Sequence, residues 1–137
     1  MSYKTYSNLI LISDHSDASS LEELKTKLED FYKKDNRNIQ IILNNEQLCL
    51  KVESWTLYIN YSNEKNVLIE SKEIANQFVK EELLKAKIAS CKGRFEMFAD
   101  PDPNMDFFND SCFVIQAMES FKEVFVFDTN NSSFTNI

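Results

Sequence analysis

Glycine is almost absent: Gly93 stands alone in 137 residues, where average usage of about 7% would supply around ten. P-loops, Rossmann turns and the pyrophosphate loops of acyl-CoA transferases bring backbone against phosphate through several glycines. Nucleotide enzymes built on those loops are therefore excluded. Histidine is equally scarce, and His15 alone excludes two-histidine metal sites, His-rich zinc sites and triads that recruit a distant histidine. The neighbouring Asp14, His15 and Ser16 have the composition of a triad, but adjacent residues point apart, so a solvated loop is expected. Cys49, Cys91 and Cys112 are an odd number without a CxxC pair, which suits free thiols better than disulfides or a zinc knuckle. No apolar run approaches the ~20 residues of a membrane span. The start, MSYKTYSN, is polar where a signal peptide needs an apolar stretch, so a cytoplasmic protein is expected, with no membrane association.

Positive charge is missing from the last third. From residue 95 onward Lys122 faces eight acids (Glu96, Asp100, Asp102, Asp106, Asp110, Glu119, Glu123 and Asp128), so the whole net charge of −7 lies there. A strongly negative face is expected, which repels phosphate and argues against a nucleic-acid partner. Trp55, Tyr58 and Tyr61 then belong to sheet packing and not to a base-stacking platform.

What is present suits one domain over 1–137 with a polar tail at 129–137. A hydrophobic fraction of 43% with 11 Phe provides a core, and a chain of this length buries roughly two-thirds of its unfolded surface. NLILIS (Asn8 to Ser13) reads as a strand buried on both faces. Ser20 with Glu23, or Ser19 with Glu22, offers a capping box for a helix running to about Lys34, with Leu21, Leu24, Leu28, Phe31 and Tyr32 on its apolar face. Three closely linked strands follow: Ile39 to Leu43, Leu48 to Val52 and Trp55 to Tyr61. Asn44 and Asn45 suit the first turn, and the helix is the natural cover for this meander.

Residues 68–91 return to helical spacing, with a break near Lys80 to Glu82 and Gly93 placed to end the second half. RFEMFA forms a strand, DPDPNMD an acidic loop, and Asp102 with Pro103, or a later start near Met105, opens a helix apolar around most of its circumference, expected to be sandwiched. EVFVFD is a final strand, and the tail beyond Asp128 is expected to fray unless Phe134 is tacked down. The predicted fold is α+β: a mixed, mainly antiparallel sheet of about six strands against about three helices, in the order βαβββαβαβ.

Asp100, Asp102, Asn104 and Asp106 alternate like the opening of an EF-hand, but Met105 stands where the loop needs glycine and Ser111 where it needs glutamate. No metal or cofactor is expected. The acids fit a helix N-terminus, where each is favoured by ~0.3 to 1 kcal/mol. DPDPNMDFFND, the apolar helix and VFVFD after it, with ESKEIA (Glu70 to Ala75) and SCKGRFE (Ser90 to Glu96), make residues 68–128 resemble small bacterial immunity proteins of polymorphic toxin and contact-dependent inhibition systems. That resemblance implies a non-enzymatic protein that binds a cognate toxin in the cytoplasm and blocks its active site or substrate surface. It brings no catalytic residue.

Charge agrees in direction, because an acidic face would steer and hold a basic toxin. The expected contact residues are Asp100, Asp102, Asp106 and Asp110, with Phe107 as aromatic anchor. Two alternatives stand beside this. One is a small-ligand-binding domain or carboxylate-dependent enzyme with a pocket between sheet and helices, using a carboxylate such as Glu70, Glu73, Asp106 or Asp110. The other is a subunit whose apolar edge pairs with itself.

Overall fold

The computed structural model describes residues 4–18 and 20–137. The chain runs β1 (Asn8–Ile12), α1 (Leu21–Tyr32), β2 (Ile39–Asn44), β3 (Gln47–Val52), β4 (Trp55–Ser62), α2 (Lys65–Phe78), α3 (Glu82–Ala89), β5 (Gly93–Ala99), α4 (Phe108–Glu119), β6 (Val124–Asp128) and β7 (Ser133–Phe134). The α+β class is as expected. Among the described residues there are seven strands and four helices, in place of about six and three. The added helix arises because Val79 takes extended dihedrals (φ −119°, ψ 125°) and Glu81 caps a new start through the amides of Leu83 and Leu84. The added strand comes from the tail, where Phe134 pairs with Phe127 and packs on its ring at 5.0 Å.

The sheet order is β2-β3-β4-β5-β1-β6-β7 and every pairing is antiparallel, so the expected mixed character is not found. β1 lies between β5 and β6 with Ile10 and Leu11 fully buried on opposite faces, as its unbroken aliphatic run requires. Along β3 and β4, Leu48, Leu50, Val52, Leu57 and Ile59 are buried while the residues between them are not, the mark of a strand covered on one side.

α1 and α4 close that covered face. Leu21, Leu24, Leu28 and Tyr32 of α1 and Val114 and Met118 of α4 join the core around Phe95 and Trp55. α2, α3 and the residues that end them cover the opposite face over Leu11 and Phe125, through Ala75, Val79, Ile88 and Cys91, and Phe78 packs on Phe127 at 5.2 Å. Arg94 fastens that layer: its Nη1 lies 2.7 Å from Glu70 Oε1, an ionic contact outside hydrogen-bonding angles, and its Nε donates to Glu96 at 2.7 Å.

Several local expectations are corrected by packing. Ser20 makes no side-chain cap to α1, and the alternative cap on Ser19 lies outside the described residues. Phe31 is 51% exposed and leans on Phe113 at 4.4 Å, outside the core. Gly93 does not end a helix. It begins β5, where a Cβ would meet Tyr61 Oη at 3.0 Å, so a larger residue would press on the tip of that tyrosine. α4 lies on one face and is not sandwiched, since Asn109, Gln116 and Glu119 are exposed and Phe113 and Ile115 half-buried. Among the described residues no helix is long and apolar enough to cross a membrane.

Candidate functional site at the acidic end of the sheet

Antiparallel pairing brings the C-terminal ends of β5 and β6 to the same edge of the molecule as the N-terminal end of β1. Asp100, Asp102 and Asp106 therefore follow β5 at the same end of the sheet as Asp128, although 22 or more positions separate them from it in the chain. The loop between β5 and α4 is held from three sides. Asp100 accepts the Thr56 amide at 3.2 Å and the Tyr58 hydroxyl at 3.1 Å, while its carbonyl accepts Trp55 Nε1 at 2.9 Å. Burial, and then the Asp100 hydrogen bond, raises the Tyr58 phenol above its ordinary range.

Asp102 accepts the Tyr6 hydroxyl at 2.6 Å and the amides of Asp106 and Phe107 at 3.0 and 2.9 Å. This carboxylate caps a tight turn, not the helix itself, and Met105 takes φ 58° in that turn. α4 then starts at Phe108 with Phe107 in the flanking position. Phe107 lies flat on Trp55, centroids 4.9 Å apart at 5°, so the expected anchor is part of the packing.

Asp110 is a correction. Only 2% of it is exposed, and it accepts from Tyr32 Oη at 2.7 Å, Arg37 Nη1 at 2.9 Å and Arg37 Nη2 at 2.8 Å. A carboxylate so enclosed holds α4 against the end of α1 and is not presented to a partner. Burial first, and then Asp110, raises the Tyr32 phenol far above its usual range. Asp35 binds the same guanidinium, at 2.8 Å from Nη2, and the Arg37 hydrogen bonds lower its carboxyl to about 2.

A carboxyl depressed in the folded state adds stability above its unfolded value, near 3.9, and loses it as the pH falls towards about 2. Urea unfolding across that window should therefore show wild type losing its margin over Asp35→Ala as acid is added. Parallel profiles for the two proteins would remove Asp35 from the acid response.

What remains outward in the loop is Pro101, Pro103, Asn104, Met105 (59% exposed), Asp106 and Phe108 (42% exposed). Phe108 rests on Tyr6, ring centroids 5.9 Å apart. Beside them opens a recess of about 300 Å³ walled by Met105, Phe108 and Ile115 on the apolar side and Ser7, Asn8 and Asp128 on the polar side. Asp128 turns its oxygens towards the amides of Asn130 and Asn131. Met105 and Phe108 were missed as surface residues because their spacing assigns them to the apolar stripe of the helix. The turn made by Asp102 instead holds them outside it.

The other candidates are not brought together. Glu70 faces Arg94 under α2, on the opposite side of the sheet from α4. His15 is exposed in a turn where its amide bonds Ser13 Oγ and Ser16 Oγ accepts the Ala18 amide. Among the described residues no three His, Cys, Asp or Glu side chains converge closely enough to hold a metal. The thiols are free: Cys91 is buried and pushed up to about 12 by that burial, while Cys49 and Cys112 are half-buried. Comparison with protein-family models, curated proteins and solved structures finds no match to the chain.

Proposed function

We propose that this chain is a binding protein that neutralises a basic protein toxin, seating the acidic end of its sheet on the toxin as an immunity protein does. The observation that carries the reading is the loop at 100–108. Asp100, Asp102 and Trp55 pin its backbone, and Met105, Asp106 and Phe108 project from it. A surface ordered before contact loses little conformational entropy on binding. Met and Phe are among the residues enriched at such contacts, and a net charge of −7 steers a basic partner.

The test is capture from a lysate of the source organism by the tagged full chain, with affinity then measured against the retained protein at low and high salt. Met105→Ala with Phe108→Ala should weaken binding about tenfold or more through dissociation, the scale of losing contacts worth over 1 kcal/mol. Asp106→Asn should slow association at low salt and matter little at high salt. Undiminished affinity in the triple variant would remove this loop as the contact. A small-ligand site in the adjoining recess is the second reading, favoured by a volume of about 300 Å³, the lower end for ligand pockets. A ligand that raises the melting temperature of wild type but not of Asn8→Leu would establish it.

A further inference from the structure

The two edges of the sheet are unlike. β7 is two residues long and is followed by Asn136, whose side chain accepts the Val126 amide and donates to the Val124 carbonyl. β2 presents six residues, IQIILN, without a charge or a proline, the devices that usually blunt an edge. The Glu53 amide donates to the Asn38 carbonyl at 2.8 Å, so by antiparallel alternation Gln40, Ile42 and Asn44 direct their backbone groups to β3. Ile39, Ile41 and Leu43 therefore aim theirs outward, while their side chains pack against the core.

Alongside this edge runs a groove of about 600 Å³ between Ile41, Ile42 and Leu43 on one side and Glu22, Lys25, Thr26 and Glu29 of α1 on the other. Lys25 is tied to Glu29 at 3.3 Å. Glu22 also borders the next hollow along, with Glu46 in the hairpin turn.

The geometry points to β2 as a docking edge for an extended, basic segment of the partner protein, which adds an eighth strand and lays its cationic side chains towards Glu22 and Glu46. The proposal takes the basic character of the partner from the function proposed above. Charge is what selects this occupant over a second copy of the chain. A second copy carries the same net charge of −7, which opposes self-pairing of the edge, whereas a basic segment meets the acids it needs.

The test is hydrogen exchange of the full chain with an acetylated, amidated peptide of alternating lysine and valine, and with the same peptide methylated on alternate amide nitrogens. At a peptide concentration about ten times its Kd, the Ile39, Ile41 and Leu43 amides should exchange about tenfold more slowly. The methylated peptide should have no such effect. Ile41→Pro should abolish the protection, because that N–H makes no bond to β3 and the ring spares the ladder. The wild-type measurement decides the matter even if this variant folds poorly.

Unchanged exchange at millimolar peptide would overturn the proposal. Protection that follows protein concentration alone, with a dimer in sedimentation, would overturn it in favour of self-pairing. Capture separates the two readings. A partner retained by Ile41→Pro but lost by Met105→Ala with Phe108→Ala would sink the strand proposal alone, whereas no partner for wild type would sink the proposed function.

Discussion

Replacing Asp110 with alanine is expected to lower the unfolding free energy by about 3 kcal/mol, the lower end of what removing one member of a buried ion pair brings. The carboxylate is 3% exposed and satisfies both Tyr32 and the fork of Arg37. Arg37 is 37% exposed and can partly rehydrate, which sets the lower end. In urea, with a slope of about 2 kcal/mol/M, the midpoint should fall by about 1.5 M at an unchanged slope. Tyr32→Phe, which removes one hydrogen bond and leaves the charges paired, should cost about 1 kcal/mol. Equal midpoints for wild type and Asp110→Ala would show the network to be energetically neutral.

Trp55→Ala is expected to be as damaging and to reach the candidate site directly. Trp55 is 3% exposed, and a Trp-to-Ala change in a core lowers stability by about 3–5 kcal/mol. The indole also stacks on Phe107, meets Tyr6 edge-on at 6.1 Å and donates to the Asp100 carbonyl. A melting temperature lower by about 10–20 °C should follow, accompanied by faster exchange of the Asp106 and Phe107 amides, which depend on a turn that Trp55 supports. Trp55→Phe, which keeps an aromatic surface but loses the indole N–H, should fall between. If those two amides stay protected while the melting temperature drops, the loop is held by Asp102 alone and the indole serves only the core.

The meander, the buried central strand, the leucine face of α1 and the break before Glu82 were all legible in the chain, because each is written in side-chain periodicity or turn chemistry over a few neighbouring residues. The helix-capping expectations were less secure. Ser20 and Asp102 both have the composition of a cap, yet only Asp102 binds amides, and it closes a turn ahead of α4. Choosing among several polar side chains at one helix start depends on backbone angles that composition does not set. The tail is expected to fray unless Phe134 is tacked down, and Phe134 does find Phe127, while the bonds of Asn136 to the backbone of β6 have no local signal.

By itself the sequence determined the class of the fold, the faces of its meander strands, the leucine face of α1, and the concentration of its negative charge in the last third. Tertiary structure alone decided which of those acids face water. Asp106 and Asp110 stand four positions apart, yet one is exposed and the other buried against Tyr32 and Arg37. The physical reason is that a carboxylate is drawn inside only where a guanidinium and a hydroxyl from distant parts of the chain already wait to replace its water. No local pattern around residue 110 records that Tyr32 and Arg37 will be there.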